Sequence, residues 1–587
     1  MSRSNEWIDW VRRQSVRLLG PTILSEENTI LVAAILVGVV SGVGSAAFIY
    51  SLAGVHHLFF VTFASALGWL GPSAVILLPA LGGLLVGPFI ARFAPEARGH
   101  GVPEVMSAVA TRGGRIAGRV AIVKIIASAM SIGSGGSAGQ EGPMVQIGAA
   151  TASAAGKRFG VPPHHMRTFV ACGAAGGLAA VFNAPIGGAI FALEVITGEL
   201  TPAFGAVILA SVSATVVSRS LFGNFPSFVV PRYDLVSNTE LVFYAVLGLL
   251  AGLASVAFIR TLYAFEDRFD GWEFPARLKP FVGGLALGII GRFFPQLFGT
   301  GSDTIQAATW GTLAPLLLLA LIPLKMLATS LTLASGGSGG VFGPSMYIGA
   351  MLGGAFGWAV HALFPTLTAG SGAYALVGIG GVVGGTALAP LTAIILLFEM
   401  TDDYRIILPV MMVTAISVVV TRSFLGGESI YTLKLRRQNI GYYQGAELER
   451  THGLTVAMAM RKELPTVDSA TDVVTALART VKARATALAV VDADGRPVGA
   501  VTVEQLSTGS VDEKRPANVG SLALPLEQVQ VLADERLDAA LDRLVGADHD
   551  VLLVVERTSD EAAPTLLGVV TRRDVLRIYE RVLRRRG

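Results

Sequence analysis

Long hydrophobic stretches recur from about residue 29 to about residue 422, and glycine- or proline-rich pieces separate them. The clearest stretches cover residues 29–50, 73–90, 118–130, 204–217, 240–259, 281–290, 312–333 and 406–420. Many of the shorter apolar pieces between them are too short to cross about 30 Å of hydrocarbon alone, and broken or re-entrant helices leave such short segments. Beyond residue 433, charged and apolar residues are mixed. The pattern predicts an all-α polytopic membrane region followed by a separate, more polar region.

The membrane region contains an internal repeat, strongest in a glycine-rich loop, with a shift of 201 to 205 residues. The matched positions are Lys124 with Lys325, Ser134-Gly135-Gly136-Ser137 with Ser335-Gly336-Gly337-Ser338, Gly142-Pro143 with Gly343-Pro344, Ala184-Pro185 with Ala389-Pro390, and Glu194 with Glu399. A weaker echo relates Gly99-His100-Gly101 to Gly299-Thr300-Gly301. Conserved spacing over this length predicts two related halves, at about 29–222 and 240–422.

Paired halves with glycine- or proline-interrupted segments at matching places are typical of secondary transporters, whose binding site lies between the repeats. Their residues alone do not decide whether the repeats are inverted or parallel. The alternative is a duplicated helical bundle that uses glycine only for close packing. Packing does not explain the carboxylate of Glu141 inside the first glycine loop, so we favour a transport site.

Composition agrees with a membrane protein, since 52% of the 587 residues are hydrophobic and 69 are glycine. The net charge of +3 is too small to indicate nucleic acid as a partner. Residues 1–28 form a basic N-terminal segment, and basic residues also follow the last hydrophobic stretch. By the positive-inside tendency, both termini are predicted to be cytoplasmic, with the chain in the plasma or inner membrane and in contact with lipid.

The glycine loop at 133–141 precedes an apolar helical segment and contains one carboxylate, Glu141. Such a loop can direct backbone N–H groups and the positive end of a helix at one point, which suits an anion. Irregular backbone at membrane depth lies buried in protein or lines a water-filled cavity. Glu141 is therefore predicted to lie beside an anion pathway.

Four segments together resemble the signature sequences of the CLC family of chloride channels and chloride/proton exchangers. They are Gly99-His100-Gly101-Val102-Pro103-Glu104, Gly139-Gln140-Glu141-Gly142-Pro143, Gly340-Val341-Phe342-Gly343-Pro344, and Tyr431 after the last membrane helix. The resemblance covers the whole membrane region, at about 29–432. It implies a homodimer in which each subunit has its own pore, built from two inverted repeats of broken helices.

The resemblance also implies roles for single residues around a bound chloride ion. The anion-binding residues would be His100, Gly101, Val102, Pro103, Val341, Phe342 and Tyr431. Glu141 resembles the gating glutamate, which occupies an anion site when ionised and leaves it when protonated, so that opening depends on pH and voltage. For Tyr431, the competing interpretation is an interfacial aromatic anchor. No catalytic residue or metal ligand and no required cofactor is expected.

Three positions depart from the best-known exchanger pattern. His100 stands where many members have serine, which leaves the preference among chloride, nitrate and other anions open. Gln140 replaces a common arginine at the outer gate. Val195 occupies the position where exchangers often have an internal proton-relaying glutamate, and valine cannot carry a proton. We therefore favour channel-like passive conduction, with a chloride/proton antiporter as the alternative.

After a linker at 433–453, two similar units are predicted at 454–510 and 518–584. Each has an amphipathic helical stretch, an apolar strand, a turn and a second strand, and this arrangement resembles a tandem pair of CBS domains. The resemblance implies a contribution to the dimer and an adenine nucleotide site, with Asp574 at the ribose and Thr571 nearby. Gln505 replaces the acid in the first unit, so at most one site is supported. The alternative is a dimer-stabilising module that binds nothing.

Other function classes are less favoured by the residues. A membrane enzyme would need a nucleophile–base pair or a metal cluster, and the histidines of the membrane region lack a matching acidic ligand set. A cation or amino-acid carrier would favour clustered carboxylates or unwound carbonyls. Both glycine loops instead precede apolar segments, and Glu141 is the one carboxylate in these loops. Anion transport across a membrane is the function that the sequence predicts.

Overall fold

The computed structural model divides the chain into two compact units, Met1–Tyr442 and Tyr443–Gly587. The structure describes residues 26–159, 161, 163–198, 204–224, 228–438, 440, 454–462, 465–483, 485, 487–511, 518–546, 551–556 and 564–584. The predicted N-terminal segment at 1–28 and linker at 433–453 therefore lie largely outside the described residues.

The described part of the first unit is helical. Its helices are α1 (Glu26–His57), α2 (Ala74–Phe93), α3 (Val102–Thr111), α4 (Arg119–Gly133), α5 (Glu141–Phe159), α6 (Pro163–Phe182), α7 (Pro185–Phe191, continued by a π-helical turn at Ala192–Thr197), α8 (Phe204–Phe222), α9 (Glu240–Asp270), α10 (Lys279–Phe293), α11 (Ser302–Thr309), α12 (Pro315–Ala334), α13 (Phe342–Leu363), α14 (Ser371–Ala387), α15 (Pro390–Thr401), α16 (Ile407–Leu425) and α17 (Thr432–Arg437). Among the described residues, eight helical segments are long and apolar enough to cross a membrane. The predicted polytopic, mostly helical fold is confirmed.

The two halves match element by element: α1 to α8 in the first correspond in order to α9 to α16 in the second. Reciprocal hydrogen bonds between the halves show the relation directly. The amide of Ser137 donates to Thr332 Oγ1 at 3.0 Å, and the amide of Ser338, which matches Ser137, donates to Ser131 Oγ at 3.3 Å. Because Thr332 in turn matches Ser131 under the same shift, each half makes the same contact with the other.

Helices α4 and α12 end at equivalent left-handed glycines. Gly135 has φ of 113° and Gly336 has φ of 115°, a region that side-chain-bearing residues rarely adopt. Each glycine turns the chain out of one helix and toward the next, α5 or α13. This is the physical origin of the broken helices that the short hydrophobic stretches predicted.

Glycine also lets the following helices pack at very short distance. A Cβ on Gly148 of α5 would lie 2.0 Å from the carbonyl oxygen of Gly173 in α6. A Cβ on the equivalent Gly349 of α13 would lie 2.4 Å from the carbonyl oxygen of Gly378 in α14. Backbones this close favour dispersion contacts and are typical of helix packing in membranes. The glycine richness of α13 and α14 also explains why they were not among the clearest hydrophobic stretches.

The described part of the second unit contains two small α/β domains. Its elements are α18 (Val456–Ala459), β1 (Thr466–Asp468), α19 (Val473–Ala483), β2 (Ala487–Val491), β3 (Pro497–Thr502), α20 (Val503–Val511), β4 (Leu524–Pro525), α21 (Leu526–Val529), β5 (Gln530–Leu532), α22 (Leu537–Gly546), β6 (Val551–Val555), β7 (Leu566–Thr571) and α23 (Arg572–Arg584). One sheet has the order β1-β2-β3-β4 and the other β5-β6-β7. In each, a short parallel strand and an antiparallel strand flank a buried central strand. The predicted apolar strands at 487–491 and 551–555 are confirmed.

The candidate functional site: three glycine loops that meet

The glycine loops of the two halves are in direct contact. The amide of Gly139 donates to the carbonyl of Gly340 at 2.8 Å, and the amide of Gly340 donates back to the carbonyl of Gly139 at 2.5 Å. A Cβ on Gly142 would lie 2.1 Å from the carbonyl oxygen of His100 and 3.1 Å from Cα of Gly340. The starts of α3, α5 and α13 therefore meet around Gly142. This convergence is the geometry that the anion hypothesis requires.

Glu141 lies at the start of α5 and is 4% exposed. Its Oε2 accepts a hydrogen bond of 3.1 Å from the amide of Gly343, in the first turn of α13. A Cβ on Gly139 would lie 2.1 Å from the same oxygen, so only glycine leaves room for the carboxylate there. The Glu141 carboxylate thus occupies the N-terminus of a helix from the other half, where a small anion would be stabilised by the same amide.

A third loop, between α2 and α3, is held against both glycine loops. The amide of Gly99 donates to the carbonyl of Gly337 at 3.0 Å, and the amide of Gly339 donates to the carbonyl of Gly99 at 3.3 Å. Ser338 Oγ donates to the carbonyl of Ala97 at 2.8 Å. Every one of these groups is buried, so the loops form one rigid body around the site.

His100 and the first turn of α3 lie at the end of this third loop. Gly101 has φ of 83° and lets the chain turn sharply into α3, whose first residues are Val102 and Pro103. All four residues are buried, and His100 is 3% exposed. The Nδ1 atom of His100 has no hydrogen-bond partner among the described residues. Since a buried imidazole nitrogen normally has a partner, this atom fits a ligand.

Val341 and Phe342 open α13 on the opposite side of the convergence. Both are buried, at 1% and 3% exposure. The Phe342 ring packs at 5.8 Å from the ring of Phe182 and, edge-on, at 6.3 Å from the ring of Phe191. The start of α13 therefore combines backbone amides with an apolar wall, a setting that strips water from an ion without presenting a full positive charge.

Tyr431 is 2% exposed and directly precedes α17. Its neighbour Ile430 donates its amide to the carbonyl of Thr386 at 2.9 Å, and the Thr386 hydroxyl donates to Ser345 Oγ at 3.0 Å in the first turn of α13. The hydroxyl of Tyr263 donates to the carbonyl of Ile430 at 2.6 Å. These bonds fix Tyr431 beside the start of α13. Its full burial disfavours the interfacial-anchor interpretation.

Two buried lysines stabilise the loops, in agreement with their repeat relation. Lys124 Nζ donates to the carbonyls of Ala97 and Gly99 at 3.0 and 2.9 Å. Lys325 Nζ lies 3.4 Å from each of the two equivalent carbonyl oxygens in the second half and 4.7 Å above the Tyr347 ring. Both side chains are fully buried. Their ammonium groups add positive potential near the convergence while their hydrogen bonds hold the loops.

A cavity of about 230 Å³ is lined in part by the third loop, including Gly99 and His100. Lys434 Nζ, on α17, pairs with Glu104 Oε1 of α3 at 2.8 Å, and Arg98 pairs with Asp270 of α9 at 3.0 Å. Sequence reasoning missed Lys434 as a partner of Glu104, because the two are 330 residues apart. The charged and titratable residues that line this His100 cavity are Arg98, His100, Glu104, Glu266, Asp270 and Lys434.

Val195 lies in the π-helical turn after α7 and is 1% exposed. Its neighbour Glu194 accepts hydrogen bonds from the amides of Leu391 and Thr392 at the start of α15. The repeat-related Glu399 accepts from the amides of Ile186 and Gly187 at the start of α7. The two glutamates thus cap each other's helices across the repeat.

Comparison with known proteins adds to this geometry. A family model described as voltage gated chloride channel matches residues 82–422, more than half of the chain. The chain belongs to the CLC family. CBS domain models match residues 456–509 and 524–581, so the CLC region is followed by two CBS domains.

Individual proteins that are similar to this chain also have names that refer to chloride transport. The chain is 35% identical over 387 residues to a putative chloride channel protein ClcB-like of Ralstonia nicotianae, covering 64% of this chain and 88% of that protein. It is 34% identical to an H(+)/Cl(-) exchange transporter ClcA of Salmonella arizonae, covering 73% of this chain and 93% of that protein. The crystal structure of a slow cyanobacterial Cl-/H+ antiporter aligns with a TM-score of 0.64 at 30% identity, covering 70% and 97% of the two chains. This CLC protein is therefore an anion transporter.

In the CBS region, the two residues predicted to contact a nucleotide are in contact with each other. Asp574 Oδ2 accepts from the Thr571 amide at 3.2 Å and its hydroxyl at 2.5 Å, and Oδ1 accepts from Arg461 Nε at 2.7 Å. Burial raises the pKa of Asp574, but the hydrogen bonds from Arg461 and Thr571 outweigh it and lower that pKa overall. At the equivalent place in the first domain, Gln505 Oε1 accepts from the Thr502 amide at 2.9 Å.

The membrane site has the parts needed to bind and release a small anion. It supplies helix N-termini and buried neutral donors and places one carboxylate at an amide that an anion would also use. Among the described residues, no cluster of three histidine, cysteine or acidic side chains is placed to hold a metal ion.

Proposed function

We propose that this CLC protein exchanges chloride for protons, with Glu141 as the group that alternates with chloride. The supporting observation is the Glu141 carboxylate at the amide of Gly343. An ionised carboxylate and a chloride ion carry the same charge and compete for that amide. Protonation removes the charge, so release of the side chain couples anion entry to proton uptake.

The relatives support exchange over the passive conduction that Val195 favoured in the sequence. Several carry the name H(+)/Cl(-) exchange transporter at 33–34% identity. Val195 is buried and cannot carry a proton. Exchange in this chain therefore needs a proton route that does not use position 195.

The test is a flux measurement on the purified protein in liposomes. An outward chloride gradient should drive protons into the liposomes against their own gradient, and dissipating the membrane potential should not abolish that uptake. Passive conduction would instead give chloride efflux with proton movement that follows the potential. Replacing chloride with nitrate or fluoride in the same assay measures the anion preference that His100 leaves open.

We also propose that the protein is a homodimer in the plasma or inner membrane, with cytoplasmic termini. Helices α8 and α16 support this, because their apolar windows are the least covered of the eight described spans, 39% and 33% buried. Their exposed side chains include Val216, Leu408 and Val419. Light scattering with correction for bound detergent measures the subunit number, and a monomeric mass would contradict the proposal.

For the CBS domains we propose one adenine nucleotide site, at Asp574 and Thr571. The support is the asymmetry of the two domains, since the first has Gln505 where the second has Asp574. A ribose hydroxyl would have to replace Arg461 at the carboxylate. Calorimetric titration of the full-length protein with ATP or AMP should show binding that Asp574→Ala abolishes, whereas Gln505→Ala should not change it. The same affinity for Asp574→Ala would contradict the assignment.

A further inference from the structure

In the CBS region, a cation from the first domain reaches the acid of the second. Arg461 lies shortly after α18, and its Nε donates to Asp574 Oδ1 at 2.7 Å. The backbone of Arg461 is held beside β7, because its amide donates to the carbonyl of Val569 at 2.8 Å and the Val569 amide donates back at 2.9 Å. The ion pair therefore joins the two CBS domains at a fixed backbone position.

The two members of this ion pair differ in burial. The side chain of Asp574 is 4% exposed, whereas that of Arg461 is 51% exposed. The other carboxylate oxygen of Asp574 accepts from the amide and the hydroxyl of Thr571. The guanidinium thus covers the carboxylate from the solvent side. A ligand that reaches Asp574 Oδ1 must take the place of Arg461.

Neutral residues stand at the matching place in the first domain. The strand position that matches Val569 is Ala500, since each lies two residues before the threonine that pairs with the start of the central strand. Ala500 pairs with Leu524, whereas Val569 pairs with Arg461. Gln505 replaces the acid. The second site therefore differs from its counterpart by a complete pair of charges, and not by the acid alone.

A ligand that opens this ion pair has to compensate both of its members. A ribose hydroxyl can donate to Asp574 in place of the guanidinium, but it has no negative charge to offer Arg461. Guanidinium binds phosphate oxygens through charge-assisted hydrogen bonds, often two in parallel. The half-exposed side chain of Arg461 can turn to a phosphate while its backbone stays bound to β7. A phosphorylated ligand thus satisfies both charges, and a nucleoside satisfies only one.

We propose that Arg461 is the phosphate-binding residue of the second CBS site, which therefore takes phosphorylated adenosine in preference to adenosine; this rests on the nucleotide site proposed above. Binding breaks the ion pair and forms two contacts in its place. The ribose takes the carboxylate of Asp574, and the phosphate takes the guanidinium of Arg461. Since these residues belong to different CBS domains, the nucleotide contacts both domains at once.

Calorimetric titration of the full-length protein with AMP and with adenosine tests this proposal, because the two ligands differ by one phosphate. We expect wild type to bind AMP about tenfold to a hundredfold more tightly than adenosine, the scale of hydrogen bonds to a charged group. Arg461→Gln keeps a donor toward Asp574 and removes the charge, so the two ligands should then bind with nearly equal affinity.

Arg543→Gln is the matched control for that variant. Arg543 lies in the second domain, its side chain is 49% exposed, and it pairs with Glu535 at 3.2 Å. Its exposure and its ion pair therefore resemble those of Arg461, but its partner is a different acid. Arg543→Gln should keep the wild-type preference for AMP.

The outcomes separate the phosphate contact from the nucleotide site. If wild type and Arg461→Gln bind neither ligand, the nucleotide site fails and the inference fails with it. If wild type binds adenosine as tightly as AMP, or Arg461→Gln keeps the wild-type preference, the site stands and the phosphate role is overturned. Adenosine binding by Arg461→Gln alone would mean that Arg461 only blocks the site, which also overturns that role.

A measurement on wild type decides the matter if Arg461→Gln does not fold, which thermal unfolding shows. A contact between guanidinium and phosphate weakens with rising salt, because the ions screen it. The affinity for AMP should therefore fall with salt more steeply than the affinity for adenosine. Equal salt dependence for the two ligands would overturn the proposal.

Discussion

The two halves of the membrane unit use the same backbone and different side chains. In both halves a lysine binds the carbonyls of one glycine loop, and a left-handed glycine follows the helix that carries this lysine. A second glycine loop then precedes the next helix. At matching positions the first half has Glu141 where the second has Phe342, and His100 where the second has Thr300. The shared backbone brings the loops together, and the differing side chains place an acid on one side of the convergence and an aromatic ring on the other.

This difference indicates which parts of the site are general and which are particular. An acid on one side can be displaced by protonation, whereas the Phe342 ring on the other forms a fixed apolar wall against Phe182 and Phe191. A symmetric site with two acids would repel chloride, and one with none would lack a proton-dependent gate. Under the proposed function, the duplicated fold therefore provides the amides that bind the anion, and substitution within one half provides the proton-dependent gate.

The largest expected effect follows from removing the acid that distinguishes the halves. Glu141→Gln keeps the size of the side chain and removes its charge and its titration. We expect chloride flux that no longer depends on pH over the range where wild type responds, together with loss of uphill proton movement. Flux of both ions in liposomes between acid and neutral pH measures this.

Glu240→Gln is the matched control for that variant. Glu240 is also a fully buried glutamate, but it accepts from the amides of Val236 and Ala369, away from the three loops. It should lower thermal stability and leave the pH response intact. An unchanged pH response in Glu141→Gln, or its loss in Glu240→Gln, would remove Glu141 from the gate.

The second prediction concerns the contact between the halves. In Gly142→Ala the new Cβ would lie 2.1 Å from the carbonyl oxygen of His100, so the loops must separate. We expect about 1–3 kcal/mol of destabilisation or more and severe loss of transport. Gly54→Ala is the control, since nothing lies within 4 Å of a Cβ at that position. Chloride flux and thermal unfolding in detergent should be near wild type for the control only.

A smaller effect should distinguish the two repeat-related lysines. Lys124→Met removes hydrogen bonds of 3.0 and 2.9 Å to the carbonyls of Ala97 and Gly99, which keep Ser338 and Gly339 as donors, whereas Lys325→Met removes only contacts of 3.4 Å. Because a hydrogen bond from a charged group contributes about 1.5–3 kcal/mol, Lys124→Met should unfold at clearly lower temperature than Lys325→Met. Equal shifts for the two variants would show that the halves do not differ in this respect.

The smallest effect is expected in the CBS domains. Because the folded-state pKa of Asp574 lies below its usual value of 3.8, its hydrogen bonds stabilise the domain above that pH and are lost as pH falls through the folded pKa. Asp574→Asn should therefore lower the free energy of unfolding at pH 7, by about 0.5–1.5 kcal/mol. Because asparagine keeps an acceptor oxygen, the loss should lie at the lower end of that range, and the difference from wild type should shrink below pH 3.8. A difference that stays constant with pH would contradict the role of the charge.

Much of this structure could be predicted from the sequence because it depends on local pattern and repetition. The spacing of Ser134-Gly135-Gly136-Ser137 and its copy indicated two halves, and Glu141 in a glycine loop indicated the site. The contact of Gly139 with Gly340 was implied only by the resemblance, since a repeat does not say which faces meet. The order and spacing of the signature segments also implied the position of Tyr431.

Other features depend on tertiary contacts that leave no local pattern. The pair of Lys434 with Glu104 joins residues 330 apart, and Arg461 reaches Asp574 across 113 residues. The repeat matched Glu194 with Glu399, but their reciprocal caps also join residues about 200 apart. The substitution at Val195 favoured a channel in the sequence, because a missing acid is visible there and the tertiary contacts around that position are not.

The central claim is that chloride and the Glu141 carboxylate compete for one place at the start of α13. Anomalous diffraction from crystals of Glu141→Gln soaked in bromide tests it most directly. The account predicts a bromide peak within hydrogen-bond distance of the Gly343 amide, and a weaker peak there in wild type at high pH. Bromide absent from that amide in Glu141→Gln, or equally strong in both proteins at all pH values, would contradict it.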